Sequence, residues 1–237
     1  MSEHVVWLFG RGLSLDCGLD WDEPSELRLQ PREVRIARIR KDLGAATDGL
    51  VSRNGTPVLD RFLRRLEERT PPGCRHTFVT TNWDDLLERA IEAGWPREVP
   101  ACMRETHVFH INGTIEPGDG RPFRTEIVLP EDPPAARKPA SEANQAFNTL
   151  TGGRRVLVVG MSFECRPDRF LLRCLNQIQD DVPVGESSWM ILNADASGLE
   201  RVRGLIQECL PGAAIRTRGF SFSQWLDTGI PEVFDPL

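Results

Sequence analysis

Polar and glycine-bearing residues fall in five places along this 237-residue chain, each directly behind a short apolar run. The first is Gly10-Arg11-Gly12-Leu13-Ser14-Leu15-Asp16-Cys17-Gly18. Two glycines allow close backbone approach, and a helix beginning near Leu13 would point its first N–H groups at a phosphate, with Arg11 beside it. A plain tight turn, with Arg11 paired to Asp16 or another acid, accounts for the same residues. The second is Thr80-Thr81-Asn82-Trp83-Asp84-Asp85-Leu86-Leu87-Glu88. Here an amide and carboxylates can orient water and stabilise positive charge. Alternatively Thr81 or Asn82 caps a helix whose first turn holds Asp84 and Asp85. The third, His110-Ile111-Asn112-Gly113-Thr114, brings an imidazole and an amide, and the fourth and fifth are Gly160-Met161-Ser162 and Asn193-Ala194-Asp195.

Five such segments do chemistry together only if a fold collects them. The apolar runs ahead of them, Val5 to Phe9, His76 to Thr80, Thr106 to Ile111, Val156 to Val159 and Trp189 to Leu192, read as strands buried on both faces, with a weaker one at Ala214 to Thr217. Helical spacing recurs between them at Pro57 to Glu68, Trp83 to Ala93, Phe170 to Ile178 and Leu199 to Leu210. Strands separated by helices predict an α/β fold, a Rossmann-like three-layer sandwich with a mostly parallel sheet and helices on both faces. In such sheets ligands bind beyond the carboxyl ends of the strands, which is where the five segments stand. One domain over residues 1–237 is expected, interrupted twice. An arginine-dense stretch near 27–55 reads as an inserted helix, clearest over Leu27 to Lys41. A proline-rich stretch near 116–139 reads as a surface flap or hairpin around the short run Glu126 to Leu129.

Scarce residue types exclude several chemistries. The chain has no Tyr, which rules out a dehydrogenase with a tyrosine–lysine pair, and its only lysines, Lys41 and Lys138, follow no P-loop pattern. Four histidines, of which only His107 and His110 are close in sequence, cannot build a histidine-rich metal cage, so no metal is expected. A net charge of -6 argues against nucleic acid as a partner. The six cysteines form no C-x-x-C pair, and the apolar run at Val5 to Phe9 is too short for a signal core, so reduced thiols in the cytoplasm are expected. No window approaches the roughly 20 apolar residues of a membrane span.

The order of these segments resembles the sirtuin-like family, NAD-binding domains that include protein deacylases and bacterial NAD-hydrolysing domains of phage defence. The resemblance is carried by Gly10, Gly12 and Ser14; by Thr80, Asn82, Asp84 or Asp85, Leu87 and Glu88; by Gly160 and Ser162; and by Asn193. It implies a ligand, NAD or an ADP-ribose-type nucleotide, bound by Gly10, Arg11, Gly12, Ser14, Thr81, Gly160, Ser162 and Asn193, and cleavage of the nicotinamide bond. It also implies a second protein for control, and a homo-oligomer is compatible with it.

Two departures limit what carries over. The deacylases hold zinc on four paired cysteines, which this chain lacks, so the resemblance is to the zinc-free branch. Where the family has a catalytic histidine next to glycine, this chain has Asn112-Gly113, and an amide is no general base near neutral pH. His110 lies two residues earlier, on the same face of a strand, and so reaches the same crevice or else bonds to backbone there; His107 points the other way. Expulsion of nicotinamide builds positive charge on the ribose, and a site can assist without a strong base, Asn82 orienting water or ribose and Asp84 stabilising the cation. The expected catalytic set is therefore Asn82, Asp84, His110 and Asn112. A non-catalytic nucleotide sensor, favoured by Asn112, and an ADP-ribosyl or glycosyl transferase with His110 as base are the alternatives.

Overall fold

The computed structural model describes residues 4–94, 108–115, 127–132, 155–165, 168–169, 171–172 and 188–229. Its centre is β1 (His4–Phe9), in which Val5 to Phe9 are fully buried. A strand with no polar side chain in its interior must be covered on both faces, and β1 is. Val5, Trp7 and Phe9 enter one core and Val6 and Leu8 the other, following the two-residue alternation of a strand.

The remaining strands are β2 (Arg75–Thr80), β3 (Val108–His110), β4 (Arg155–Val159), β5 (Ser188–Leu192) and β6 (Ala214–Arg218). They form one six-stranded sheet in the order β3-β2-β1-β4-β5-β6, with every pairing parallel. The expected α/β sandwich is what the chain adopts. On the Trp7 face lie α1 (Arg11–Asp16), α2 (Arg32–Asn54), α3 (Pro57–Arg69), α4 (Leu86–Gly94) and α6 (Phe222–Asp227). On the other lies α5 (Ala196–Cys209), through Leu199, Val202 and Ile206, with Leu171 and Leu172 beside it. No helix among the described residues is long and apolar enough to cross a membrane.

Within the inserted stretch near 27–55 the helix starts later than expected. Leu27 belongs to a short 3-10 turn (Ser25–Leu29), and α2 starts only after Pro31, whose missing N–H and fixed φ suit a helix start. It then runs past Lys41 to Gly55, where φ is +63, burying Ile36, Ile39, Leu43, Thr47 and Leu50 at helical spacing. Its first turns hold the described part of the expected surface flap. Arg32 Nη2 donates to Ile127 O and Asp132 Oδ2, both at 3.0 Å, while buried Arg35 sits between Glu23 and Glu131. Ile127 and Leu129 are buried in the core while Pro130 and Glu131 are exposed, so this part of the stretch is anchored at its start and surfaces after it. The alternating apolar side chains of Ile127 and Leu129 draw the segment inward, and the arginines of α2 fix its ends.

Trp7 meets Phe62 edge to face at 4.8 Å between ring centres, and its Nε1–H donates to His76 Nδ1 at 3.0 Å. Thr70 Oγ1 donates to Leu66 O and lies 2.8 Å from His76 Nε2, so the imidazole is needed with its proton on Nε2 and none on Nδ1. Burial, with His4 nearby, depresses the His76 pKa to about 4 from its ordinary 6.5. Below pH 6.5 the unfolded chain therefore binds a proton that the native chain refuses, and stability falls until about pH 4. Between pH 7 and pH 5 this amounts to about 2 kcal/mol. Asp84, whose pKa is raised by burial, acts in the opposite sense at the acid end. Urea unfolding of wild type and His76→Gln at both pH values isolates the histidine: the variant is expected to lose most of that difference, and equal slopes would contradict the assignment.

Candidate functional site

The sheet order reverses between β1 and β4, and a crevice opens where the chain leaves these two strands in opposite directions. The turns after them, at Gly10–Gly12 and Gly160–Ser162, touch backbone to backbone. Gly10 N donates to Val159 O at 2.8 Å and Gly12 N to Gly160 O at 2.9 Å. A Cβ on Gly12 would stand 2.6 Å from Gly160 Cα, and one on Gly160, where φ is +59, would stand 2.5 Å from Gly12 Cα. The glycines thus serve close approach of two turns. The expectation that the first helical N–H groups point at a phosphate is corrected here: α1 begins at Arg11 rather than near Leu13, and the N–H groups of Gly10, Gly12 and Leu13 are spent on Val159, Gly160 and Gly10 carbonyls.

Arg11 extends to the crevice mouth and pairs with Asp22 at 2.6 Å, with Asp20 3.9 Å away. Asp16, its alternative partner, instead accepts the N–H groups of Phe222 and Ser223 at the start of α6.

Beneath the mouth Asn82 Nδ2 donates to Ser14 Oγ at 2.8 Å and to Gly10 O at 3.1 Å, and Ser14 Oγ donates to Asp84 Oδ2 at 2.7 Å. This relay joins the loop after β2 to α1. Asp84 is buried, which raises its pKa against the pull of the Ser14 hydroxyl and the Leu86 N–H. The capping alternative fails: α4 starts at Leu86, and residues 81–85 form a loop whose Asn82 side chain reaches α1. A hydrogen-bond partner 68 residues away outcompetes the local cap.

His110 is fully buried and does not line the crevice. Its Nδ1–H donates to Asn82 O at 3.0 Å, while Nε2 faces Glu88 Oε1, a contact that needs one proton between the two atoms. It fixes the loop from below, as the strand-end alternative has it, so His110 is placed as a positioning group rather than a base in contact with ligand. Its neighbour two residues on does face the crevice. Asn112 Nδ2 donates to Thr81 O at 3.2 Å and to Asp168 Oδ1 at 3.0 Å. Asp168 was not legible as a site residue, because it stands eight positions beyond Gly160 without a motif of its own. Burial and this carboxyl push the Cys165 thiol up to about 12, so it remains a thiol.

Ser162 sits on a turn carried by Phe163, a buried non-glycine residue at φ 53, and accepts the Glu164 N–H at 3.4 Å. Asn193 spends its side chain on Met161 O and Asp195 N and stays off the crevice. The crevice encloses about 270 Å³, and nine of the twelve expected site residues line it: Gly10, Arg11, Ser14, Thr81, Asn82, Asp84, Asn112, Gly160 and Ser162. Gly12, His110 and Asn193 lie behind its wall. Trp21, Trp83, Arg28, Val128 and Pro130, none of them expected, are among the other residues that line it. His107, the Phe170 to Ile178 helix beyond Leu172 and most of the proline-rich stretch lie outside the described residues.

A family model described as a SIR2-like domain matches residues 76–208, more than half of the chain. The match takes in the segments after β2, β3, β4 and β5, whereas the Gly10 turn precedes it. Among solved structures, the chain is similar to a Sir2 homologue in complex with NAD at 17% identity, covering 98% of this chain and 90% of that one with a TM-score of 0.51. It is similar to Sir2 bound to acetylated peptide at 13% identity, with 98% and 93% covered and a TM-score of 0.53. A mutant Sir2 homologue in complex with ADP-ribose matches at 16% identity over 98% and 92%, with a TM-score of 0.51. At such identities the likeness is one of fold. Comparison with curated proteins gives no match.

Proposed function

Since the chain belongs to the SIR2-like domain family, we propose that its crevice takes NAD or a related ADP-ribose nucleotide and that the protein hydrolyses the nicotinamide N-glycosidic bond. The observation that carries this reading is the Asn82–Ser14–Asp84 relay opening into a crevice at the topological switch point. The lining suits such a molecule. Arg11 and Arg28 stand at the mouth where an anionic diphosphate would lie, and Trp21 and Trp83 line the crevice as aromatic partners for a planar base. When the C1′–N bond breaks, its electron pair neutralises the pyridinium ring and positive charge appears on the ribose. Asp84 and the amide oxygen of Asn82 are the dipoles and charge that would face it.

Nicotinamide release followed by chromatography, together with melting in the presence of NAD, tests the reading. Wild type is expected to release nicotinamide, and Asn82→Ala is expected to release it about 100-fold more slowly, the scale of losing one preorganised polar group. Absence of both a melting shift and release would remove NAD as the ligand. A second reading, a sensor that binds the nucleotide without turnover, is favoured by Asn112, which puts an amide on the crevice wall. Stabilisation by NAD without release would select it. A transferase with His110 as base has no such support, because the imidazole lies behind the wall.

A further inference from the structure

We propose that Arg35 is a positioning residue of this crevice, its buried guanidinium clamping two lining segments together and so fixing the gap into which the nucleotide fits. The proposal rests on the nucleotide-binding part of the reading above and deepens it by naming what preorganises the walls. Residues 19–23 supply Leu19, Trp21, Asp22 and Glu23 to the lining, and residues 127–132 supply Val128 and Pro130. Neither segment belongs to a helix or strand, so no backbone ladder sets the distance between them. Both meet at one side chain. Arg35 Nε and Nη2 donate to the two carboxylate oxygens of Glu23, the second at 2.7 Å, while Nη1 donates to Glu131 Oε1 and Nη2 lies 3.5 Å from Glu131 Oε2.

The base of the clamp is rigid, because Arg35 stands in the first turns of α2 beside buried Ile36 and one turn ahead of fully buried Ile39. A planar guanidinium with five donors can grip two carboxylates at once in a fixed geometry, which an ammonium cannot. The side chains of Arg35 and Glu23 are only 5% and 7% exposed, so water screens their pairing little. Glu23 carries the constraint into the crevice it lines, 3.6 Å from Arg28 at the mouth. Glu131 is exposed, stands outside the lining and touches this site through Arg35. That separates the clamp from simple charge. Removing the Glu131 charge should by Coulomb's law favour an anionic nucleotide, whereas loosening the clamp should disfavour it.

The test measures ADP-ribose affinity by titration calorimetry, kcat and KM for nicotinamide release, and hydrogen exchange of the free protein, for wild type, Arg35→Lys, Glu131→Gln and Ile39→Val. Arg35→Lys is expected to weaken ADP-ribose about 10-fold, to raise KM more than it changes kcat, and to speed exchange in residues 19–23 and 127–132 together. Glu131→Gln is expected to weaken ADP-ribose about 3-fold, and to add little to Arg35→Lys, since both act through one guanidinium. Ile39→Val, a core change in the same helix, should lower melting with affinity unchanged, which separates positioning from stability. Should Arg35→Lys fail to fold, the sign of the Glu131→Gln effect decides. Affinity in Glu131→Gln equal to or above wild type would overturn the clamp, as would faster exchange in Arg35→Lys with wild-type affinity; either leaves nucleotide binding standing. Binding of ADP-ribose without nicotinamide release would remove hydrolysis and leave the clamp. No binding of ADP-ribose by wild type would overturn the nucleotide reading and the clamp with it.

Discussion

Gly160→Ala is expected to cost about 3 kcal/mol or more, near the upper end for overpacking a tight site, with the strain of a positive φ added. The new methyl would meet Gly12 Cα at 2.5 Å and the Gly12 N and C at 2.9 Å. These are backbone atoms inside a turn hydrogen-bonded to its neighbour, so no side chain can swing aside. At roughly 2–4 °C per kcal/mol for a chain of this size, melting should fall by roughly 6–12 °C. Gly204→Ala in α5 is the matched control: nothing lies within 4 Å of its Cβ, and alanine there should stabilise by roughly 0.5–1 kcal/mol. Equal melting of Gly160→Ala and wild type would disprove the contact between the turns.

Removal of the buried imidazole should be as damaging. His110→Ala is expected to cost about 3 kcal/mol, the packing of a buried ring together with its hydrogen bonds to Glu88 and Asn82. It leaves the Glu88 carboxyl buried where the imidazole faced it and takes the donor from Asn82 O. Replacing Glu88 as well, in His110→Ala/Glu88→Leu, should recover part of the loss, because an apolar side chain then fills the space beside the removed imidazole in place of a carboxyl. Denaturant unfolding of both variants checks this. The double variant should still bind nucleotide poorly, since the Asn82 loop has lost its anchor; stability restored together with full nucleotide affinity would count against a positioning role for His110.

Strand identity was legible because uninterrupted apolar runs have few other fates, and the crevice followed from where those runs end. What each side chain does there was less legible, and for local reasons. Asn82 has the residue type and place of a helix cap, yet its partner Ser14 lies 68 residues away, a pairing no local pattern encodes. The rule that positions two apart share a strand face misled at His110 and Asn112. β3 ends at His110, Ile111 enters a turn, and Gly113 takes φ +80, so the alternation stops between them. The glycines of the first turn were correctly read as permitting close approach, but the approaching group is the Gly160 turn. Nothing in the arginine-dense stretch set Arg35 apart from its neighbours, and its burial between two glutamates depends on segments that only the fold brings to α2.

The contact between the Gly12 and Gly160 turns leaves no slack beneath a bound molecule, because spreading them would break Gly12 N to Gly160 O and shear β1 from β4. Tolerance for bulkier or slimmer guests then falls to the lining outside these turns, Trp21, Val128 and Pro130 among it. Residues 127–132 are tied to α2 by arginine–carboxylate pairs, and concentrated salt should loosen the half-exposed Arg32 tie before the buried Arg35 one.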